Sequence, residues 1–395
     1  MKIVLLTNIL SPYRKVFYDK LYSGFRDIGV EFSVLVMAES EPGRHWRYQE
    51  YKSVYCELLE SRTFTISNIC FHYNKDFKQK LFDFKPDILI VSGSYLSPSV
   101  LRAIQLKKKL KYKLIFWSES HLDESRSYNL FKLKVRDSMR RYTYKRFDGF
   151  WFAGEKSLKL INKYINKNNN YHEKKRINYY FVPNLVDNTY FKQAYDKKKA
   201  DRNNIKEILK LPKDKFIFTL PARLIKEKGI LPFLELLNQS QFKNLVSIVI
   251  LGDGSLRSEI EAFAYQNQID VKLTGYLEHQ EILNYYAGAD CFLLPSISDA
   301  NPLSSIEALW AGLPLLVSDH VGNYPETVRN ELNGYVFSYE SPQAAIEIIN
   351  KIIHSEEDWR NEAEKISLQI AEEVFEPNRC VSNLIVDMMQ DYYWE

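Results

Sequence analysis

The segment from Asp299 to Glu307 combines two carboxylates with a turn that is suited to binding an anion. A short apolar run, residues 291–294, ends at Pro295 and predicts a buried strand just before this turn. We expect a helix to begin directly after the turn. Unsatisfied amides and the helix dipole at such a start favour a negative charge. The segment therefore predicts binding of an anionic group, with Glu307 close enough to reach the same ligand.

Four neighbouring residues define the predicted start of this helix. Asn301 is suited to the N-cap, and Pro302 to the first helical position, where its missing N–H has no partner in any case. The amides of Leu303 and Ser304 should then point outward without a partner in the helix. These two amides are the predicted donors to the anion.

A basic turn, Ala222 to Gly229, follows another apolar run at residues 216–220. Within it, the guanidinium of Arg223 and the ammonium of Lys228 could converge on one anionic group. A solvated Lys/Glu-rich turn is a commoner origin of such a stretch, so both interpretations stay open.

Two glycine turns follow the next apolar runs. Gly252 and Gly254 could allow the backbone to lie against a flat ring, and Gly275 with Tyr276 occupies the equivalent place after residues 271–273. Each turn alone also matches ordinary turns. Together with the cations, the helix start and the carboxylates, they suit a diphosphate, a base and a polyhydroxylated sugar.

The first half of the chain offers a second group of polar residues at strand ends. Glu119 and His121 lie just after a predicted strand, where either could orient a substrate hydroxyl or take its proton. A loop hydrogen bond explains each equally well. Ser11, Tyr13 and Arg14 follow the first strand and could meet an acceptor, although a plain helix start accounts for them too.

All these residues follow apolar runs that alternate with helix-sized stretches, which is typical of doubly wound α/β domains. Ligands bind such sheets outside the carboxyl ends of the strands. The predicted strands of the first half are residues 3–6, 32–36, 88–91, 114–117 and 149–153, and residues 179–182 form a sixth short apolar run. Those of the second half are residues 216–220, 246–251, 271–273, 291–294 and 315–317.

A chain of 395 residues is too long for one ordinary core, so we predict two domains, residues 1–190 and 191–376. The polar, Lys-rich stretch 187–204 is interpreted as the interdomain connection. Residues 377–395 form a predicted last helix that could cross back onto the first domain. Its apolar positions are Val381, Leu384, Ile385 and Met388.

Composition limits the location of the protein and its cofactors. Apolar residues make up 45% of the chain without a run of membrane-spanning length, and residues 1–8 are too short for a signal peptide. The cysteines are widely scattered without metal-like spacing, which indicates reduced thiols in a cytoplasm and no metal site. They are Cys56, Cys70, Cys291 and Cys380.

The net charge of +4 is unevenly distributed, because residues 102–113 and 126–147 are strongly basic. One interpretation is a solvated basic face on a helix with an ordinary core stripe. The other is a surface that attracts anionic lipid head groups or a phosphate-bearing acceptor. No recognition motif accompanies the charge, so we do not expect nucleic acid binding. The stripe comprises Phe131, Val135, Met139 and Tyr142.

The second half of the chain resembles the retaining glycosyltransferases of family 4, which have the GT-B fold, and the first half resembles them more loosely. Arg223 and Lys228 stand in the "RLxxxKG" stretch, and residues 252–254 form the "GxG" turn. The family's E-x7-E signature appears as Asp299 and Glu307, a departure at its first acid. The resemblance implies an α/β protein of two Rossmann-like domains facing across a cleft.

The resemblance also implies roles for single residues. Arg223 and Lys228 would hold the donor diphosphate, Glu307 the ribose hydroxyls, and Asp299 the hydroxyls of the transferred sugar. Because aspartate is shorter than glutamate, the donor sugar should differ from that of relatives. Further donor contacts would come from Gly252, Gly254, Gly275, Tyr276 and the amides of Asn301, Leu303 and Ser304. His121 or Glu119 would contact the donor sugar from the first domain, and Ser11, Tyr13 and Arg14 would contact the acceptor.

The implied activity is retaining hexosyl transfer from a nucleotide sugar, most simply a UDP-sugar, to a glycan or lipid-linked acceptor at the cytoplasmic membrane face. The departing phosphate would accept the acceptor's proton, without a metal or other cofactor. One alternative is a nucleotide-sugar epimerase, with Glu119 and His121 as its acid and base. Another is a non-catalytic nucleotide-sugar-binding partner subunit, suggested by Asp299.

Overall fold

The computed structural model describes residues 1–41, 47–66, 69–122, 130–165 and 177–393. The chain divides into two compact units. The first unit contains Met1–Glu119, Arg126–Leu185 and Pro377–Glu395, and the second contains Ser120–Ser125 and Val186–Glu376. No described helix has both the length and the apolar character needed to cross a membrane.

The first unit contains a seven-stranded parallel sheet and a separate antiparallel hairpin. The sheet order is β3-β2-β1-β6-β7-β8-β9, and β4 pairs with β5 in the hairpin. The strands are β1 Lys2–Thr7, β2 Glu31–Val36, β3 Cys56–Leu58, β4 Ser61–Ile66, β5 Ile69–Asn74, β6 Ile88–Val91, β7 Lys113–Ser118, β8 Gly149–Phe152 and β9 Asn178–Phe181.

Helices cover both faces of this sheet, which explains why its central strands are continuously apolar. Along β1, Ile3 and Leu5 pack into one core cluster, whereas Val4 and Leu6 pack into another on the opposite face. The helices are α1 Pro12–Asp27, α2 Tyr48–Tyr51, α3 Phe77–Phe84, α4 Pro98–Leu110, α5 Leu130–Tyr144 and α6 Glu155–Ile165.

The second unit is built on a six-stranded parallel sheet with the order β12-β11-β10-β13-β14-β15. Its strands are β10 Phe216–Pro221, β11 Val246–Leu251, β12 Asp270–Leu273, β13 Cys291–Leu294, β14 Leu315–Ser318 and β15 Gly334–Phe337. Its helices are α7 Asn188–Ile208, α8 Ile230–Gln239, α9 Arg257–Gln266, α10 His279–Gly288, α11 Leu303–Trp310, α12 Tyr324–Thr327, α13 Pro342–Ile353 and α14 Glu357–Phe375. Short 3-10 turns occupy Lys226–Lys228 and Lys243–Leu245.

The stretch 187–204 is not an extended connection but most of helix α7, and it belongs to the second unit. Asp187 caps the helix by accepting a hydrogen bond from the Tyr190 amide at 3.0 Å. Phe191 and Ala194 are buried, and so is Lys198, which is ion-paired with Glu364. Because one buried position of this helix is a lysine, a count of apolar residues does not reveal that the helix is amphipathic.

The last helix, α15 Pro377–Tyr393, packs in the first unit against α1. Its four predicted apolar positions are buried in the same cluster as α1 and one face of β1. The predicted fold class, with two α/β domains and a returning C-terminal helix, is confirmed.

Three strand elements were not predicted from the sequence. They are β3, the β4–β5 hairpin and β15. The β3 side chains are all half-buried and include Glu57, and β15 is only four residues long. Edge strands of this kind lack the apolar run by which central parallel strands are found.

Candidate functional site

The loops after the strands of the second sheet are tied together by backbone hydrogen bonds. Gly252, after β11, forms an isolated bridge with Gly275, after β12. The Leu224 amide, after β10, donates to the Asp253 carbonyl at 3.0 Å. The Leu256 amide donates back to the Leu224 carbonyl at 3.0 Å. The two glycine turns and the basic turn therefore form one connected edge.

The basic turn is also joined to the segment that follows β13. The amides of Ile297 and Ser298 donate to the Glu227 carbonyl at 2.9 and 3.2 Å. The Tyr339 hydroxyl donates to the Pro295 carbonyl at 2.7 Å and approaches the Gly229 carbonyl at 3.1 Å. Tyr339, which lies just after β15, thus helps to fix both segments.

The segment after β13 is held in turn by the loop after β14. The Gly322 amide donates to the Asp299 carbonyl at 2.8 Å, and Asn323 Nδ2 donates to the Pro302 carbonyl at 2.9 Å. All the second-half motifs predicted from the sequence therefore lie on the carboxyl edge of one sheet. Asn323 was not predicted, because nothing in its local sequence reveals a partner 21 residues away.

Close backbone approach, rather than room for a ligand, explains the first glycine turn. A Cβ on Gly252, whose φ is 149°, would lie 2.2 Å from the Ala222 carbonyl oxygen. A Cβ on Gly254 would lie 2.5 Å from the Leu224 carbonyl oxygen. A Cβ on Gly275 would lie 3.9 Å from Arg257 Nη1, an ordinary contact, but the φ of Gly275 is 77°, and Tyr276 beside it is 77% exposed. The first turn thus fixes the position of the basic turn that carries Arg223.

Lys228 and Asp299 form a direct ion pair, with Nζ 2.5 Å from Oδ2. Their side chains are 18% and 15% exposed, so the pair is largely shielded from water but still reachable. Arg223 is exposed on the same turn. The sequence predicted that both cations face an anion and that Asp299 faces a sugar, but it did not predict that Lys228 and Asp299 contact each other.

Helix α11 begins one residue later than predicted. Pro302, not Asn301, occupies the N-cap, with an extended ψ of 134°, and helical residues start at Leu303. The Pro302 carbonyl accepts hydrogen bonds from Ser305 Oγ and Asn323 Nδ2, which hold the residue in this conformation. Proline provides no side-chain hydrogen bond to the first turn. The first-turn amides, including Leu303 and Ser304, therefore remain the predicted anion donors.

Glu307 lies in the second turn of α11 and is 6% exposed. Its Oε2 accepts a hydrogen bond of 2.9 Å from the Tyr286 hydroxyl. Burial raises the pKa of Glu307 to about 7, and the Tyr286 hydroxyl partly opposes this shift. The carboxyl group therefore titrates near neutral pH. Tyr286 was not predicted from the sequence, because it lies on another helix, α10.

His121 belongs to the second unit rather than to the first, where the sequence placed it. Its ring is 3% exposed, and Nε2 lies 3.2 Å from the Asp299 carbonyl oxygen. Since a carbonyl only accepts, Nε2 carries the proton in this contact. A Cβ on Gly322 would lie 2.9 Å from His121 Cδ2, so this glycine makes room for the ring. The structure thus brings His121 to Asp299.

Glu119 and Arg14 form an ion pair in the first unit, with Arg14 Nη2 2.9 Å from Glu119 Oε1. The Arg14 guanidinium carbon lies 3.9 Å from the centre of the Trp117 ring. Ser11 is the N-cap of α1, and its Oγ accepts from the Arg14 amide at 3.3 Å. Tyr13 is half-buried in the first turn of α1. Helix capping therefore accounts for Ser11, whereas Arg14 and Glu119 are paired with each other.

The basic helix predicted within residues 126–147 is α5, and its apolar stripe does not lie in a core. Val135 and Met139 are each 43% exposed, and Tyr142 is 58% exposed. The core-stripe interpretation is therefore wrong for these residues. The side chain of Phe131 lies outside the described residues. An exposed apolar stripe on a basic helix is typical of an interaction surface.

Residues 201–367 match the family model described as Glycosyl transferases group 1. This segment is a group 1 glycosyltransferase domain. It contains all six strands of the second sheet, together with Arg223, Lys228, Asp299 and Glu307. The predicted resemblance is therefore confirmed for the glycosyltransferase domain.

One similar curated protein is the UDP-Gal:alpha-D-GlcNAc-diphosphoundecaprenol alpha-1,3-galactosyltransferase of Escherichia coli. It is 32% identical over 179 residues, which cover 43% of this chain and 44% of the relative. The chain spans less than half of the length of the next curated relatives as well. The similarity thus concerns the glycosyltransferase domain more than the whole chain.

Solved structures resemble the chain over its whole length. Sucrose-phosphate synthase from Thermosynechococcus elongatus has a TM-score of 0.73 at 15% identity, with both chains fully covered. Anabaena HepE, solved in complex with UDP and glucose, has a TM-score of 0.71 at 13% identity, covering 99% of this chain and 100% of HepE. These neighbours confirm that the chain has the GT-B fold.

Proposed function

We propose that the protein is a retaining glycosyltransferase of family 4 that transfers a hexose from a UDP-sugar to a glycan or lipid-linked acceptor. The name of the Escherichia coli relative specifies a UDP-sugar donor and a diphosphoundecaprenol-linked acceptor. HepE was solved with UDP and glucose. Both point to the same donor class for this chain.

The observation that carries the proposal is the Lys228–Asp299 ion pair beside the start of α11. A lysine and a carboxylate in contact suit the two ends of the reacting bond. Lys228 and the first-turn amides of α11 neutralise the diphosphate, and Asp299 accepts hydrogen bonds from the sugar hydroxyls. Exposed Arg223 contributes a second cation to the diphosphate.

During transfer, the bond between the anomeric carbon and the β-phosphate oxygen breaks, and a bond from the acceptor oxygen to that carbon forms on the same face. The acceptor hydroxyl gives its proton to the departing phosphate oxygen. Negative charge therefore develops on the diphosphate, where Lys228, Arg223 and the α11 amides stabilise it. The proposed mechanism uses no metal, because these groups already oppose the diphosphate charge.

Glu307 is assigned to the ribose hydroxyls of the nucleotide. It lies one turn into α11, behind the amides assigned to the phosphates. As a carboxylate it accepts hydrogen bonds from vicinal hydroxyls, while the Tyr286 hydroxyl holds its Oε2. His121 is assigned to the donor sugar, because its contact with Asp299 keeps it beside the residue that meets the same sugar.

A lipid-linked acceptor requires access to a membrane surface, and we assign this role to α5. Exposed Val135 and Met139 would insert between head groups, while basic residues of the same helix, among them exposed Lys134, would attract anionic lipids. We therefore place the protein in the cytoplasm, peripherally bound to the inner face of the cell membrane. Salt should weaken this binding.

The donor test is an assay of UDP release over a panel of UDP-sugars, with and without a lipid-linked glycan acceptor. We expect acceptor-dependent release with one sugar and retention of anomeric configuration by NMR of the product. Lys228→Ala should lower UDP affinity or rate at least about tenfold. Lys226→Ala is the matched control, because this exposed lysine lies in the same 3-10 turn and should leave both unchanged.

Other outcomes distinguish the alternatives. Epimerised donor without an acceptor would establish the epimerase. In the structure, however, Glu119 is ion-paired with Arg14, and His121 is hydrogen-bonded to the Asp299 carbonyl. Nucleotide binding without any conversion would establish the non-catalytic subunit. For the membrane, vesicles with and without anionic lipid should differ in binding. Equal binding, or binding insensitive to salt, would contradict the role of α5.

A further inference from the structure

A mixed group of sulfur, nitrogen and oxygen ligands lies in the first unit, outside the residues of the glycosyltransferase domain. The ligand atoms of Glu41, Cys70 and His72 are all within 4.8 Å of one another. Cys70 and His72 are two residues apart on β5, so their side chains leave the same face of the hairpin. Glu41 follows β2 and meets them from the sheet. Two chain segments apart in sequence thus deliver three different ligand types to one place.

We propose that Glu41, Cys70 and His72 bind a divalent cation of borderline softness, Zn²⁺ being the best match. Thiolate, imidazole and carboxylate are the ligands that Zn²⁺ accepts together, whereas Mg²⁺ and Ca²⁺ prefer oxygen alone. Three protein ligands leave one tetrahedral position for water or another group.

The distances within the group suit a shared ion. His72 Nε2 lies 3.0 Å from Glu41 Oε1. Two atoms that are each about 2.0–2.2 Å from one Zn²⁺ ion are separated by roughly 3–3.5 Å. His72 is 1% exposed, which fixes the ring, and Cys70 is half-buried. The third ligand atom, Cys70 Sγ, lies within 4.8 Å of both, close enough for side-chain rotation to bring it to the same ion.

Neighbouring groups orient the ligands in the way that metal sites require. His72 Nδ1 lies 2.9 Å from Thr63 Oγ1 on β4, so in the tautomer that binds an ion Nδ1–H can donate there while the Nε2 lone pair is free. Asn8 Nδ2 donates to Glu41 Oε1 at 3.2 Å. Thr63 thus holds the ring at the nitrogen that does not meet Glu41, and Asn8 holds the carboxylate.

Cys70 must lose its proton when the ion binds. A divalent charge favours the thiolate, and the thiol proton is released to solvent. His72 changes tautomer in the same step: the proton on Nε2, which faces Glu41 without an ion, is replaced by one on Nδ1, and the freed Nε2 lone pair and the Glu41 carboxylate both bind the ion.

The consequence of binding is a clamp between the hairpin and the main sheet. Cys70 and His72 belong to β5, whereas Glu41 belongs to the loop after β2. Asn74, at the end of β5, already donates to the Met37 carbonyl at 2.7 Å. The ion adds a second link on the same face of β5, further along the strand, and should stabilise the first unit.

The test uses the tag-free full-length protein and metal ions alone. We expect one equivalent of Co²⁺ to bind with a thiolate-to-cobalt charge-transfer absorption, and Zn²⁺ to displace it. Cys70→Ser should abolish that absorption, and His72→Gln should weaken Co²⁺ binding at least about tenfold. Cys56→Ser is the matched control, since Cys56 is another half-buried cysteine of the first unit and lies outside the group.

Thermal unfolding gives an independent readout. Zn²⁺ should raise the Tm of wild type and of Cys56→Ser but not that of Cys70→Ser or Glu41→Gln. If His72→Gln fails to fold, the Cys70→Ser and Glu41→Gln variants still decide the question. No saturable binding, or an unchanged cobalt spectrum in Cys70→Ser, would overturn the proposal. The group would then be a hydrogen-bonded Thr63–His72–Glu41 chain without an ion.

Discussion

Lys228 Nζ lies 2.5 Å from Asp299 Oδ2, so the lysine assigned to the donor diphosphate already has a counter-ion in the protein. A bound diphosphate must share Lys228 with Asp299 or displace it. An aspartate beside a bound diphosphate would also repel it. The pair therefore links nucleotide affinity and sugar recognition through one contact.

Asp299→Asn separates these two effects. We expect UDP affinity to stay equal or rise by up to about tenfold, because the competing charge is removed. Sugar transfer should fall at least about tenfold, because a carboxylate acceptor for the sugar hydroxyls is lost. UDP titration calorimetry and transfer rates measure the two quantities. A tenfold loss of UDP affinity would instead show that Asp299 positions Lys228 for the phosphate.

Glu307 should make the stability of the second unit dependent on pH. Its ordinary pKa is 4.5, and burial raises the folded-state value to about 7. The folded protein thus holds this proton more tightly than the unfolded chain, so the stabilisation is complete below about pH 4.5 and is lost as pH rises through about 7.

Glu307→Gln mimics the protonated form at every pH. Above pH 7 the variant should be more stable than wild type by on the order of 3 kcal/mol, and the difference should vanish towards pH 4.5. Urea unfolding followed by hydrogen exchange of the α11 amides measures it. Tyr286→Phe removes the hydroxyl that lowers the pKa of Glu307. Adding Glu307→Gln to this variant should therefore raise its stability above pH 7 by more than adding Glu307→Gln to wild type does. If the unfolding free energies of wild type and Glu307→Gln changed with pH in the same way, the raised pKa of Glu307 would be contradicted.

Gly254→Ala should disturb the basic turn without touching the nucleotide. The added Cβ would lie 2.5 Å from the Leu224 carbonyl oxygen and 2.7 Å from its amide nitrogen, so the backbone next to Arg223 must move. We expect UDP affinity to fall at least about tenfold. Gly29→Ala, in open space within the first unit, controls for backbone strain at a glycine and should leave UDP affinity unchanged. Normal UDP binding by Gly254→Ala would show that the turn tolerates the shift.

We predict that removing the charge of Asp290 strongly lowers the stability of the second unit. Its carboxylate lies 2.6 Å from Arg202 Nη2 and accepts from the Ile217 amide at 2.9 Å. Burial alone would raise the pKa of Asp290, but Arg202 and Lys206 lower it below its ordinary value. This stabilisation is present at neutral pH and is lost as pH falls through the folded-state pKa.

Asp290→Asn leaves two cations without their counter-ion and should cost about 3–5 kcal/mol of unfolding free energy at pH 7. Urea unfolding at that pH measures the loss. The double variant Asp290→Asn/Arg202→Met should recover part of it, because one unpaired charge is removed with its partner. A loss below about 1 kcal/mol would mean that solvent screens this group.

The sheets and the position of the site follow from simple properties of the sequence. Continuous apolar runs such as residues 246–251 predict buried parallel strands, and the carboxyl edge of such a sheet predicts where the polar motifs meet. Local rules could not predict the Lys228–Asp299 contact, because it depends on the neighbouring positions of β10 and β13. The partner of Glu307 escaped prediction for the same reason.

Helix α7 and the Cys70 group show two other limits. The buried positions of α7 include Lys198 and Lys206, whose charges are neutralised by Glu364 and Asp290 from distant segments. The polar, lysine-rich stretch 187–204 was therefore interpreted as a connection, although Lys198 within it is buried. Cys70 and His72 form a Cys-x-His pair whose shared face becomes evident only once β5 is known to be a strand.

The place of α15 in the first unit has a consequence for synthesis of the chain. Met388 and its neighbours on α15 complete the cluster around α1, yet they are translated only after the whole second unit, Ser120–Ser125 and Val186–Glu376. Although most of the first unit is translated earlier, the second unit should reach its native state first, and a nascent chain stalled before Pro377 should expose the apolar face of α1 to chaperones.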